Sequence, residues 1–102
     1  MDKHKAGTNC GTPLYVAAQE GRLSVAQYLV EHGADPNEAI CGSTPLSIAA
    51  QRGHFSVVQY LVKQGADKNK SNENGTTPLN VAAFAGYLTI VQYLTEQGAD
   101  EN

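Results

Sequence analysis

The sequence predicts an all-α protein in which pairs of short helices stack into a repeat solenoid. One unit recurs three times, with its Thr-Pro-Leu starts at Thr12, Thr44 and Thr77, which are 32 and then 33 residues apart. Each unit holds two short apolar segments separated by a glycine. Helices of this length are not stable alone in water, so each unit must bury its apolar face against the next one.

The first helix of each unit is predicted to begin at the proline. The threonine before that proline can accept a hydrogen bond from the N–H groups of the first turn, as an N-cap residue does. Proline at the first helical position sacrifices no hydrogen bond. An alanine pair then leaves room for a neighbouring helix. The glycines predicted to end this helix in a tight turn are Gly21, Gly53 and Gly86.

The second helix of each unit carries one apolar stripe. In the first unit, Val25, Tyr28 and Leu29 follow each other at helical spacing. Residues that can cap this helix stand just before the stripe, at Ser24, Ser56 and Thr89. A glycine is predicted to stop the helix at Gly33, Gly65 and Gly98. The polar, turn-rich segments that follow predict hairpin-like connections.

The pattern TPLxxAA, a glycine, VxxYL and GADxN, at a period of 32 or 33 residues, resembles the ankyrin repeat. The resemblance covers residues 2–102. It implies helix-turn-helix pairs joined by β-hairpin-like loops at right angles to the helices, stacked into a curved slab with a concave face. The chain is then a single domain with a leading loop (1–11), repeat 1 (12–43), repeat 2 (44–76) and repeat 3 (77–102).

The chain departs from the family pattern at the residue after Thr-Pro-Leu. Family members commonly have histidine there, whereas this chain has Tyr15, Ser47 and Asn80. Serine and asparagine are expected to keep one of the histidine's hydrogen bonds, and Tyr15 is expected to point elsewhere. In the first loop, Cys10 stands where the later loops have a glycine, and cysteine is disfavoured at positive φ.

The two ends of the chain are in phase with the repeat. A natural array needs terminal repeats with a polar outer face. The only such change in repeat 3 is Thr95, which stands where the other repeats have Val30 and Val62. This predicts a fragment of a longer array or an engineered three-repeat protein, with self-association through uncapped ends. A natural short protein is the alternative.

Composition argues against several classes of partner. The net charge is -3 and no Lys/Arg cluster is present, so we expect no nucleic-acid partner. The most apolar stretch, 79–94, is too short and too interrupted to span a bilayer, so we expect no membrane partner. With two cysteines and no export signal, we expect reduced thiols in the cytoplasm.

No arrangement of residues suggests catalysis, a cofactor or a metal. His4, His32 and His54 have no matching nucleophile or acid, so we expect a non-enzyme. A metal site of His4, Cys10 and Cys41 is the alternative. A Cys10–Cys41 disulfide is disfavoured, because adjacent repeats lie roughly 8–10 Å apart and a disulfide requires Cα atoms within about 7 Å.

Two ladders of equivalent residues have competing interpretations. The tyrosines are expected to fill the helix-helix core, although an aromatic ladder can also bind stacked ligands. These are Tyr28, Tyr60 and Tyr93. The asparagines are expected to bond the loop backbone, and the resemblance implies hydroxylation as an alternative. These are Asn37, Asn69 and Asn102.

The family resemblance implies a protein-binding surface on the loop tips and the concave helix face. These positions also differ most between the copies, while the scaffold positions agree. Phe84 and Ile40 are the candidate anchors, since aromatic and apolar side chains can fill partner pockets. The alternative function is a bare scaffold with no partner. The predicted partner-binding residues are Thr8, Asn9, Gln19, Glu20, Ile40, Cys41, Ser43, Gln51, Arg52, Ser71, Glu73, Asn74, Thr76, Phe84 and Ala85.

Overall fold

The computed structural model describes residues 11–39, 42–72 and 74–98, and within them it has six α-helices and no β-strand. The helices are α1 (Pro13–Glu20), α2 (Leu23–Glu31), α3 (Pro45–Arg52), α4 (Phe55–Lys63), α5 (Pro78–Ala85) and α6 (Leu88–Glu96). Each repeat contributes one pair. The predicted all-α architecture of helix pairs is confirmed.

The inner helices α1, α3 and α5 begin as predicted. Each has proline in its first turn and a threonine N-cap. The threonine hydroxyl accepts a hydrogen bond from the N–H three residues later, at 3.1 Å in repeats 1 and 2 and 3.2 Å in repeat 3. Such a cap is worth about 1 kcal/mol, so three caps are a substantial part of what starts these short helices.

The turn between paired helices serves both of them. Gly21 ends α1 at φ 71°, in the left-handed region that glycine tolerates. The next residue, Arg22, donates its N–H to the carbonyl of Ala17 at 2.9 Å and is also the N-cap position of α2. The predicted side-chain caps of the outer helices are therefore wrong, because the helix has already begun one residue before them. Those residues are Ser24, Ser56 and Thr89.

Asn37 ties the loop after α2 to the loop after α4. Its Nδ2 donates to the Gly65 carbonyl at 3.2 Å, and its Oδ1 accepts from the Asp67 N–H at 2.6 Å. Its own N–H donates to Asp35 Oδ1 at 2.8 Å, which holds the loop in an Asx turn. The predicted structural role is thus confirmed for Asn37.

The helices form two layers. In one layer α1 packs on α3 and α3 on α5, and in the other α2 packs on α4 and α4 on α6. Fully buried alanines such as Ala18, Ala49 and Ala50 allow the inner helices to approach each other. Leucines between the layers, among them Leu46, Leu61 and Leu94, fill the core. The stack measures 42 × 28 × 18 Å.

The tyrosine ladder has a different role at its first position. Tyr60 and Tyr93 are half-buried against the core, and Tyr93 meets the Phe55 ring edge-on at 5.6 Å. Phe55 belongs to the repeat before that of Tyr93. Tyr60 likewise contacts the preceding repeat, because its hydroxyl donates to the Gln27 carbonyl at 3.5 Å. Tyr28 is exposed. The core prediction is therefore right for two tyrosines and wrong for Tyr28, because the described residues contain no helix pair before that of Tyr28.

Ser47 differs from the expectation that serine would keep a hydrogen bond of the family histidine. Its side chain is fully buried on α3, and its hydroxyl has no hydrogen-bond partner. The backbone N–H of Ser47 already uses the Thr44 hydroxyl. A serine side chain is shorter than histidine, so it cannot reach the groups that a ring would reach. Repeat 2 therefore carries an unsatisfied buried polar group.

Candidate partner-binding cleft

A cleft of about 460 Å³ lies between α3, α5 and the loop that joins α4 to α5. Side chains from two repeats meet there because α3 and α5 pack side by side. The residues that line the cleft are Gln51, Asn72, Asn74, Thr76, Asn80, Val81, Phe84 and Ala85. Not one of these side chains is ionisable. The cleft is therefore suited to neutral groups that need hydrogen bonds and apolar contact.

Asn72 organises the loop that forms one wall of the cleft. Its backbone N–H donates to the Thr76 carbonyl at 2.8 Å, and its carbonyl accepts from the Gly75 N–H at 2.9 Å. Its side-chain Oδ1 accepts from the N–H groups of Asn74 and Thr76 at 2.9 and 3.0 Å. Gly75 takes φ 79°, which closes the turn without a Cβ penalty. The loop is thus pre-organised before any partner binds.

Phe84 is the aromatic residue of the cleft lining. It lies in the last turn of α5, and the residue is 94% exposed. A phenyl ring this exposed has no packing role in the fold. Gln51 and Asn80 line the same cleft and are also exposed, so amide donors and acceptors share this surface with the ring. The arrangement combines one apolar anchor with several amides that can bond a peptide backbone.

Five of the predicted partner-binding residues come together in this cleft. They are Gln51, Asn74, Thr76, Phe84 and Ala85. Ser43, Arg52 and Ser71 are described but do not line it. The remaining predicted residues on the loops lie outside the described part of the chain. They are Thr8, Asn9, Ile40, Cys41 and Glu73.

The two predicted residues of α1 lie elsewhere. Gln19 uses its carbonyl to accept from His54 Nε2 at 3.0 Å, so its backbone belongs to the joint between repeats 1 and 2. Its side-chain amide lies 3.5 Å from the Glu20 carboxylate. Glu20 lines a separate hollow with Val16 and Val25 on the outer side of repeat 1. The predicted surface is thus divided between at least two places.

Sequence reasoning missed three cleft residues, Asn72, Asn80 and Val81. Asn72 lies in one of the polar segments for which hairpin-like connections are predicted, and in the structure its turn forms a wall of the cleft. Asn80 was treated as a substituted scaffold position. Its place in the repeat holds a different residue in each copy, and this variability was the signal that could have identified it.

The described histidines have structural contacts. The His54 ring packs over Gly21, where an added Cβ would come within 2.6 Å of the ring. His32 Nδ1 donates to the Tyr28 carbonyl at 2.8 Å, and its ring stacks on the Tyr28 ring at 4.0 Å. The described residues contain no group of three His, Cys, Asp or Glu side chains placed to hold a metal. His4, Cys10 and Cys41 lie outside the described ranges.

The pKa of the Tyr60 hydroxyl is perturbed. Burial raises the pKa of the Tyr60 hydroxyl above its usual value of 10.0, and the Glu31 carboxylate on α2 raises it further. Tyr60 contacts the preceding repeat through the Gln27 carbonyl, so this shift reflects repeat packing. It lies away from the cleft and supplies no acid or base there.

Comparison with known proteins agrees with the repeat pattern. A family model described as ankyrin repeats (3 copies) matches residues 37–102, and a model of the single ankyrin repeat matches residues 10–39. No curated protein matches the chain significantly. As for membranes, none of the helices in the described ranges has the length and hydrophobicity needed to cross a bilayer.

Proposed function

The chain belongs to the ankyrin-repeat family, and we propose from this premise that it is a protein-interaction module that catalyses no reaction. Ankyrin repeats are generally protein–protein interaction modules. The predicted loop-tip and helix residues are the proposed binding surface, with the cleft between repeats 2 and 3 at its centre. Fold alone does not identify the partner, so the proposal rests on the chemistry of that cleft.

The single observation that carries the proposal is the exposed Phe84 ring among the neutral, amide-rich residues that line the cleft. Aromatic side chains at the centre of an interface often account for much of the binding energy. The Asn72 loop is held by its own hydrogen bonds, so little ordering entropy is lost when a partner binds. A neutral segment of a protein, with an apolar side chain to cover Phe84, fits this chemistry best.

The alternative is a scaffold that binds nothing. It predicts that the exposed ring of Phe84 is ordinary apolar surface, which is common on soluble proteins. The two functions differ in one consequence. If the chain is an interaction module, a charge in the cleft should weaken partner binding. If it is a bare scaffold, the same charge should have no effect on any interaction.

The test uses a displayed library of natural protein fragments, selected on the immobilised 102-residue chain. Fragments that bind the wild type are then measured against Phe84→Asp and Ser56→Asp. We expect Phe84→Asp to weaken binding at least about tenfold, because truncating a hot-spot residue costs about 2 kcal/mol or more and tenfold corresponds to about 1.4 kcal/mol. Ser56→Asp adds the same charge on the exposed surface of α4, away from the cleft, and should leave binding unchanged. Fragments that bind both variants as tightly as the wild type would contradict the proposal.

A further inference from the structure

The outer side of repeat 1 exposes apolar residues whose equivalents in repeat 2 are buried. Val25 on α2 is 48% exposed, whereas its equivalent in repeat 2, Val57, is 1% exposed. Val16 on α1 is likewise exposed, whereas its equivalent Ile48 is buried. In repeat 2 these positions are covered by the helices of repeat 1. The first face is thus a repeat-packing surface, and it is defined here by Val16, Arg22, Val25 and Tyr28.

The outer side of repeat 3 shows the complementary pattern. Ala83 on α5 is exposed, whereas its equivalents Ala18 and Ala50 are fully buried under the next repeat. Leu88 on α6 is 66% exposed, whereas its equivalent Leu23 is half-buried. The last face is therefore also a repeat-packing surface, defined by Ala83, Gly86, Leu88 and Val91.

The joints inside the chain show how a first face meets a last face. At the turn between paired helices, a side chain from the following repeat covers the glycine of the preceding one. His54 covers Gly21, and Tyr87 covers Gly53, with a built Cβ coming within 2.7 Å of the Tyr87 ring. Gly86 has the same left-handed conformation, yet no atom lies within 4 Å of the space beside it. The residue of repeat 1 at the covering position is Arg22.

In the aromatic contact between outer helices, a side chain of the following repeat again packs on the preceding one. Tyr93 of repeat 3 packs edge-on against Phe55 of repeat 2. The position equivalent to Phe55 in repeat 3 is Leu88, and the position equivalent to Tyr93 in repeat 1 is Tyr28. Both side chains are exposed. Tyr28 of one molecule can therefore lie on Leu88 of another just as Tyr93 lies on Phe55.

We propose that copies of this chain stack head to tail, with the first face of one copy on the last face of the next. The partner is a second copy because the two faces repeat an interface that this chain already forms twice within itself. Arg22 then covers Gly86, and Tyr28 and Val25 cover Leu88 and Ala83. The two faces are different surfaces, so each dimer keeps one free face of each kind and the assembly is an open row.

The first face and the last face are separate from the cleft, so the proposal stands or falls independently of the proposed function.

The test is sedimentation velocity of the full chain over a wide range of protein concentrations. The wild type should rise from 10.8 kDa without levelling off at a dimer. Val25→Asp blocks the first face and Leu88→Asp blocks the last face, so each variant alone should remain at monomer mass. Mixed together, they should form a one-to-one dimer that grows no further, because each brings the face that the other lacks. Ser56→Asp carries the same charge on a surface exposed in every repeat and should associate like the wild type.

Three results would overturn the proposal. The wild type could stay at 10.8 kDa throughout, which would mean that another part of the chain covers these faces or that they do not associate. Either blocked variant could still self-associate, which would indicate pairing of like faces. The mixture could fail to form a dimer although the wild type associates. Circular dichroism checks that each variant is folded, and Val16→Asp with Ala83→Asp repeats the mixing test at a second exposed position on each face.

Discussion

Repeat 2 and the two outer repeats have the same motif, but they differ in how many of their residues are buried. Six of the eight residues of α3 are buried, whereas α1 and α5 bury three each. Five of the six positions buried in α3 hold similar residues in α1 and α5, and only Ser47 differs, so local sequence does not explain the contrast. Repeat 2 has a helix pair on both sides, and each outer repeat has one. Stability in this molecule thus comes from the joints between repeats and is concentrated in the middle.

The largest expected effect comes from truncating a core leucine in the middle repeat. Leu61 is fully buried on α4, and its equivalent Leu29 on α2 is half-buried. We expect Leu61→Ala to lower the free energy of unfolding by about 3 kcal/mol, because the lost side chain leaves a cavity. Leu29→Ala should cost about 1 kcal/mol. Urea denaturation of both variants measures the difference, and equal costs would break the comparison.

A smaller but sharper contrast is expected at the turn glycines. The φ angles of Gly53 and Gly86 are 80° and 86°, in the left-handed region. Alanine at either position therefore costs about 1–2 kcal/mol of backbone strain. At Gly53 the added Cβ also meets the Tyr87 ring, which adds about 1–3 kcal/mol of crowding. At Gly86 the Cβ enters open space. Denaturant midpoints should therefore fall further for Gly53→Ala than for Gly86→Ala, and equal shifts would show that the Tyr87 ring moves aside freely.

The smallest expected effect is at Ser47. Its hydroxyl is buried without a partner, so Ser47→Ala removes a desolvated polar group and should change stability by less than about 0.5 kcal/mol or increase it slightly. Thr44→Ala, three residues earlier, removes the hydroxyl that caps α3 and should cost about 1 kcal/mol. Thermal melts of the two variants give the comparison. A large loss at Ser47 would show that its hydroxyl does find a partner in solution.

Much of the local structure could be predicted from the repeat pattern. The threonine caps, the first-turn prolines and the left-handed glycines are all where the pattern predicts them. These features depend on a few consecutive residues, so a sequence reading can identify them. The caps predicted at Ser24, Ser56 and Thr89 failed because the N-cap of each outer helix lies two residues earlier than predicted. The hydrogen bond from the Arg22 N–H to the Ala17 carbonyl is what makes the turn this short.

The cleft was less predictable than the helices. Variation between copies pointed to Gln51, Phe84 and the loop tip, which line one cleft, but it did not indicate which variable residues meet. Glu20 is as variable as these and yet lines a different hollow. Asn72 and Asn80 were overlooked because their own segments suggested a turn and a scaffold position. Whether two variable residues share a cleft depends on how one repeat sits on the next, and that relation is absent from any single repeat.

The sequence by itself determined the class of fold, the order of the helices and the residues that start and stop the inner helices. It did so because capping, proline geometry and glycine conformation act within one or two turns of the chain. Only the tertiary structure decided that Val57 is core and Val25 is surface, that Tyr28 lies outside while Tyr60 packs inside, and that Phe84 joins a cleft. The reason is that equivalent residues in a repeat carry the same local signal, whereas burial depends on whether a neighbouring repeat lies against them.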